Sequence, residues 1–285
     1  MKHAFAVRVG PVSFRIGSAW AGPIRDLEQL YSDYPRPTGV CDYTVRLEPA
    51  RPWRRWLRPS VAIAGDFMLP EAAPLPLSLG LLAAEMGMNL QLALGERRFL
   101  LLHAATVERN GRALILTGES GAGKSTLATL LGSDGWRFMG DEFALIEPKT
   151  GLAWPFPRPS SLKNESIDAA LAVIDPAKFG PLLKDTPKGD IRHVVPPADA
   201  LASMAKSAEP ALILFPQFGL SEAARPVPQS EAFVRLTQAS TNYVALGERG
   251  FSALTHLVQR VPSVALDYPD MATARRMIDD LWAAL

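Results

Sequence analysis

The sequence predicts an α/β protein with a β-rich N-terminal region, and three observations predict it. Residues Gly118-Glu119-Ser120-Gly121-Ala122-Gly123-Lys124-Ser125 spell G-x-x-x-x-G-K-[ST] between an apolar run, Ala113–Thr117, and a segment with Leu127, Leu130 and Leu131 on one helical face. Asn110-Gly111 separates two apolar runs, the strongest short signal for a β-hairpin. Residues 5–70 carry several short alternating runs, the period of half-buried strands.

Taken in order, Phe5–Val9 and Val12–Ile16 flank Gly10-Pro11 and read as two strands around a turn. Tyr43–Leu47 and Val61–Ala64 continue the pattern. From Leu77 to Leu94 the chain reads as an amphipathic core helix, because Glu85 and Asn89 interrupt an otherwise apolar stretch flanked upstream by Pro74 and Pro76. This gives two regions, a β-rich one over 1–95 ending in a helix and a nucleotide-binding one over 96–285. The hairpin register pairs Arg109 with Arg112, Val107 with Leu114 and Ala105 with Leu116, which sets His103 opposite Gly118. Common nucleotide-binding folds open with a parallel βαβ unit; here the loop-bearing strand is fed by an antiparallel one.

The loop has a direct chemical reading. Its glycines let backbone N–H groups converge on phosphate oxygens. The following helix adds partial positive charge at its N-terminus, Lys124 adds a full one, and the Ser125 hydroxyl is placed for Mg²⁺. Gly118 through Thr126 are therefore the residues expected to bind a nucleoside triphosphate, with ATP and Mg²⁺ as the cofactors. After the helix, Trp136–Gly140 reads as a short strand that runs into Asp141-Glu142 and on into apolar Phe143–Ile146. Two acids within a strand cost desolvation unless they meet a cation or a proton. Asp141 and Glu142 are the metal and base candidates, with Ser125 and Asp141 as the metal pair. The other apolar run able to carry such an acid, Ala211–Phe215, ends in Pro216-Gln217. His103 reads either as a core histidine or as a group beside the terminal phosphate that tunes the neighbouring acid.

Composition excludes several classes. A hydrophobic content of 48% with 21% charged residues describes an ordinary folded chain with ample core. A net charge of +1 supplies no field toward nucleic acid or membrane, and neither partner is expected. The single cysteine, Cys41, forbids an internal disulfide and fits a reducing, cytoplasmic setting. The apolar stretch before Arg8 is too short for a signal peptide.

His103, the hairpin, Gly118–Ser125 and Gly140-Asp141-Glu142 together resemble the bacterial HPr serine kinase/phosphorylase, whose core is related to phosphoenolpyruvate carboxykinase. Downstream residues, among them Phe156-Pro157-Arg158-Pro159-Ser160-Ser161-Leu162-Lys163, Asp185–Gly189, His193 and Asn242-Tyr243, are similar to the divergent HPr kinase-related kinase A branch, as are Glu85, Asn89 and Gly135-Trp136-Arg137. The resemblance implies a P-loop kinase core of that type, ATP use, and transfer of phosphate to a hydroxyl. It implies catalytic roles for Asp141, Glu142, His103 and Lys124, with Glu142 standing where that family has a second aspartate. The acceptor is left open between a serine of a protein or peptide and a small metabolite. A nucleotide-gated ATPase or binding module, and a carboxykinase-like enzyme, are the other readings. The related bacterial kinase is a hexamer; a homo-oligomer is compatible with the resemblance, and that interface has no recognisable counterpart here.

Arg158 and Lys163, flanking a Pro-Ser-Ser turn, are the candidates for substrate contact, since phosphoryl transfer needs cations on the moving group. Lys188-Gly189 is a candidate lid. Arg51–Arg58 is a basic-aromatic stretch whose tryptophans are expected to pack down on the surface.

Overall fold

Asn110 and Gly111 make the tight turn, both with positive φ (56° and 79°), and the pairing is the expected one: Arg109 with Arg112, Val107 with Leu114, Ala105 with Leu116. Ala104 pairs with Thr117, which leaves His103 just beyond the strand end and next to the loop. Types of turn that need positive φ at both positions favour Asn-Gly, so this element is local chemistry.

A computed structural model describes residues 2–69 and 71–285 as a mixed α/β fold with four sheets. The largest runs in the order Ala223–Pro226, Ser263–Tyr268, Glu209–Phe218, Arg112–Thr117, Ala104–Arg109, Arg137–Gly140. Ser263–Tyr268, Glu209–Phe218 and Arg112–Thr117 are parallel, Ala104–Arg109 is antiparallel to both its neighbours, and Ala223–Pro226 is antiparallel at the far edge. The loop strand, Arg112–Thr117, is thus central and buried, with Ala113 to Leu116 inaccessible. Helices Lys124–Gly132 and Met271–Ala283 pack on one face, and Gln229–Ala239 and Glu248–Arg260 on the other. Parallel strands covered on both faces must be apolar on both, which is why this run reads as continuous rather than alternating.

The N-terminal sheet runs His3–Val9, Val12–Ser18, Tyr43–Pro49, Ser60–Gly65, Leu75–Pro76. Gly10 is required in its first turn: φ is 53°, and an added Cβ would lie 1.9 Å from the Pro155 carbonyl oxygen. The long helix spans Gly80–Gly95 behind a short 3₁₀ turn at Leu77–Leu79. It is apolar on most faces rather than amphipathic, and Leu81, Ala84, Met88 and Leu92 are buried in the same core as Phe99, Leu101, Leu145 and Phe156. Residues on both sides of position 95 therefore share one core, so a division there is not a boundary in packing.

Three expectations change. Asp141 and Glu142 do not lie within a strand; they occupy the bend between Arg137–Gly140, in the large sheet, and Ala144–Ile146, which pairs with Leu100–Leu102 in a separate sheet. Lys188-Gly189, the candidate lid, is the tight end of a hairpin between Phe179–Thr186 and Gly189–Val194 rather than a separate loop. In the Arg51–Arg58 stretch the tryptophans do not pack down: Trp53 and Trp56 are 53% and 76% exposed, with Arg51 and Arg55 over their rings.

Candidate functional site

The glycine loop connects the end of the central strand to the helix Lys124–Gly132, so the helix N-terminus points into a cleft at the carboxyl end of the sheet. Gly121 and Gly123 take φ of 88° and 90°, conformations in which a side chain is strained. Gly123 also meets Tyr268, whose hydroxyl would stand 2.1 Å from an added Cβ and which donates to the Ala122 carbonyl at 3.1 Å. The tyrosine braces the loop from the strand Ser263–Tyr268, one beyond the loop strand's own neighbour.

Lys124 is buried, and its ammonium donates to the Gly118 and Glu119 carbonyls at 2.8 Å each, folding back over its own loop. Burial holds its pKa below the ordinary lysine value, against the pull of Glu142 and Asp141. The Thr126 hydroxyl bonds Ser166 at 3.0 Å, and Thr129 bonds the Ser125 carbonyl at 2.7 Å and Ser160 at 2.9 Å. The Thr129–Ser160 bond ties the loop helix to the strand Ser160–Lys163, and the Thr126–Ser166 bond ties it to the helix Glu165–Leu171.

The strand Ser160–Lys163 also holds one of the acids. Asp141 is 4% exposed and accepts from the Ser161 N–H at 3.1 Å. Burial first, and the adjacent Glu142 second, push its carboxyl up to about 7. Glu142 is more open, with its carboxylate 3.4 Å from His103 Nδ1, and its backbone carbonyl lies 3.1 Å from the same nitrogen. The His103 side chain is 46% exposed, which removes the core-histidine reading. His103, Ser120 to Thr126 except Ala122, Asp141, Glu142 and Lys163 line one cleft of about 500 Å³.

A divalent cation fits this donor set. A buried carboxylate holding one backbone hydrogen bond, beside a second carboxylate and lining one cleft with the Ser125 hydroxyl, is hard oxygen chemistry, in a cleft that Lys124, Lys163 and Lys188 also line. Ser125 and Asp141 are the residues that would hold it.

Arg158 is not a surface cation. It is 4% exposed and forms an ion pair with Glu85, with further bonds to Asn89, to the Tyr31 hydroxyl at 3.3 Å and to the Glu85 carbonyl at 3.2 Å. Burial alone would raise the Glu85 carboxyl, but Arg158 and then His193 outweigh it and hold it below the usual range. Lys163 lies on an edge strand, not beside a Pro-Ser-Ser turn, and lines the cleft. Tyr268 leaves no signal in the sequence, because it reaches the loop from a strand distant in the chain, while Ser161 and His193 stand in the sequence only among the residues of the resemblance, without a role. Glu85 and Asn89 did leave a signal, two polar residues at i and i+4 in an apolar helix.

Residues 84–269 match the family model described as "SynChlorMet cassette protein ScmC". That model spans the loop, both acids, His103, Arg158 and Lys163, and it names no HPr kinase family. No curated protein matches the chain in sequence. Among solved structures, the chain is similar to the Hpr(Ser) kinase/phosphatase from Coxiella burnetii, at 13% identity over 65% of this chain and 93% of that one, with a TM-score of 0.29. Likeness at that level identifies neither fold nor activity.

Proposed function

The chain belongs to the family described as SynChlorMet cassette protein ScmC, and from the site enclosed by its matched region we propose a phosphotransferase that moves the terminal phosphoryl group of ATP to a hydroxyl. One observation carries this reading: the glycine loop with Lys124, the pair Asp141–Glu142 and His103 line a single cleft. A P-loop kinase core of the HPr kinase type is the fold this implies.

In this reading, backbone N–H groups of Gly118–Thr126 hold the phosphates and the Lys124 ammonium turns from the loop carbonyls to a phosphate oxygen. A bound Mg²⁺ supplies neutralisation of phosphate charge. The acceptor oxygen bonds to the γ-phosphorus while the bond to the bridging oxygen breaks, and ADP leaves. The acceptor's proton passes to a carboxylate of the Asp141–Glu142 pair. His103 orients the Glu142 carboxylate, and Lys163 offsets charge on the moving group.

The test is incubation of purified protein with γ-labelled ATP, Mg²⁺ and size-fractionated cell extract, with Asp141→Asn as control. Acid-stable label on a polypeptide, absent with Asp141→Asn, makes it a serine or threonine kinase. Label in the small fraction makes it a metabolite kinase. Label only in free phosphate leaves an ATPase and removes the transfer reading.

A further inference from the structure

A second cavity, about 150 Å³, lies behind the acids and shares Asp141, Glu142, Ser161, Lys163 and Lys188 with the loop cleft. One wall is a helix face: Leu82, Glu85, Met86 and Asn89 lie at i, i+3, i+4 and i+7 of Gly80–Gly95. The facing wall is one side of a small sheet. Ser161 pairs with His193 and Lys163 with Ile191, and directly paired residues two apart along a strand share a face. All four line the cavity.

His193 is the unexplained group. It is 1% exposed, and its Nδ1 is buried with no hydrogen-bond partner. A buried polar nitrogen left unpaired costs desolvation with no return, and native structures keep few of them. The Arg158 charge nearby is already matched by Glu85, so the wall around His193 offers polar atoms without a free charge. Lys163 and Lys188, in contrast, make no ion pair among the described residues.

We propose that this cavity is the acceptor site and takes one hydroxyl-bearing amino-acid unit, with its hydroxyl at Asp141–Glu142 and His193 Nδ1 bonded to its polar group. The inference rests on the phosphotransferase reading for the direction of the hydroxyl, while the cavity stands on its own geometry. Size sets the class: a cavity of about 150 Å³ holds one benzene-sized group. A nucleoside or a folded surface does not fit, whereas a serine-sized unit with its backbone does. Leu82, Met86, Pro159 and Ile191 give it apolar contact, and the two lysines suit a carboxylate or phosphate on the acceptor. Free serine and a serine within a flexible peptide present the same chemistry.

The experiment follows the His193 ring nitrogens by NMR in full-length protein carrying ¹⁵N-labelled histidine, with His193→Asn to assign the signal. L-serine and N-acetylserinamide are titrated separately, and a fluorescent ATP analogue is bound to the same sample. A saturable shift of the His193 signal is expected. If L-serine alone causes it, the acceptor is a free amino acid; if the blocked form alone does, it is a residue of a peptide. Met86→Trp fills the cavity from a partly exposed position and should raise the saturating concentration at least about tenfold. No shift with either probe, or a shift unchanged in Met86→Trp, overturns the proposal. A shift without binding of the ATP analogue leaves the cavity assignment standing and removes the phosphotransferase reading.

Discussion

His103 Nδ1 stands 3.4 Å from the Glu142 carboxylate and 3.1 Å from the Glu142 carbonyl oxygen. Both residues lie where the chain crosses between the same two sheets. The imidazole sits at the junction between the loop-feeding hairpin and the strand Leu100–Leu102, and the acid follows the strand Arg137–Gly140. Both groups are partly open to the cleft, so this pair serves the site and not the core.

His103→Ala should therefore slow phosphoryl transfer roughly tenfold to hundredfold, toward the lower end of what a positioned acid–base group supplies. The fold should hold, because exposed substitutions stay within about 0.5 kcal/mol. Transfer rate and thermal unfolding of the same sample check both halves. An unchanged rate removes His103 from the mechanism.

Lys124→Ala should weaken ATP binding by at least about tenfold, since it removes the full charge in the loop. Asp141→Asn should keep the nucleotide and abolish transfer. Calorimetric titration of the two variants separates these outcomes, and equal nucleotide affinity in wild type and Lys124→Ala would place the phosphates elsewhere.

Arg158→Ala should destabilise the protein by about 3–5 kcal/mol, the cost of leaving Glu85 charged and unpaired in the interior. The double change Arg158→Met with Glu85→Leu should recover much of that loss. Urea unfolding of wild type and the two variants checks it; an Arg158→Ala loss under about 1 kcal/mol would make the pair a surface-like contact.

His193 gives a pH dependence with a definite sign. Burial holds its imidazole below the ordinary 6.5, Arg158 reinforces this, and Glu85 and Glu142 oppose it. The unfolded chain thus takes up this proton more readily than the folded one. The stability it contributes is whole above 6.5 and is lost as pH falls below that value. Between about pH 7.5 and pH 5.5, wild type should lose more stability than His193→Gln. Urea midpoints that fall in parallel for both proteins over that range would contradict this.

The local elements were legible because short-range chemistry decides them. Asn110-Gly111 specifies its own turn, and the register carries His103 to the loop without any tertiary information. The glycine loop is marked by residue types with few other uses. Asp141-Glu142 stands out as a pair of acids among apolar residues, but its setting does not, because a bend between two sheets and a mid-strand position have the same local sequence. Arg158 looked like one of several loop cations; only the fold shows that it is spent on Glu85, seventy-three positions away.

By itself, then, the sequence determined the hairpin, the loop and the acids that follow it, since those depend on turn geometry, backbone freedom and spacing over a few residues. The tertiary structure decided what meets across the chain: Tyr268 against Ala122, Ser161 on Asp141, Glu85 with Arg158, and His193 unpaired in its cavity. Those meetings depend on which strands become neighbours and which helix covers them. That order is set by burial of the whole apolar core, a non-directional force that leaves no mark at any single residue.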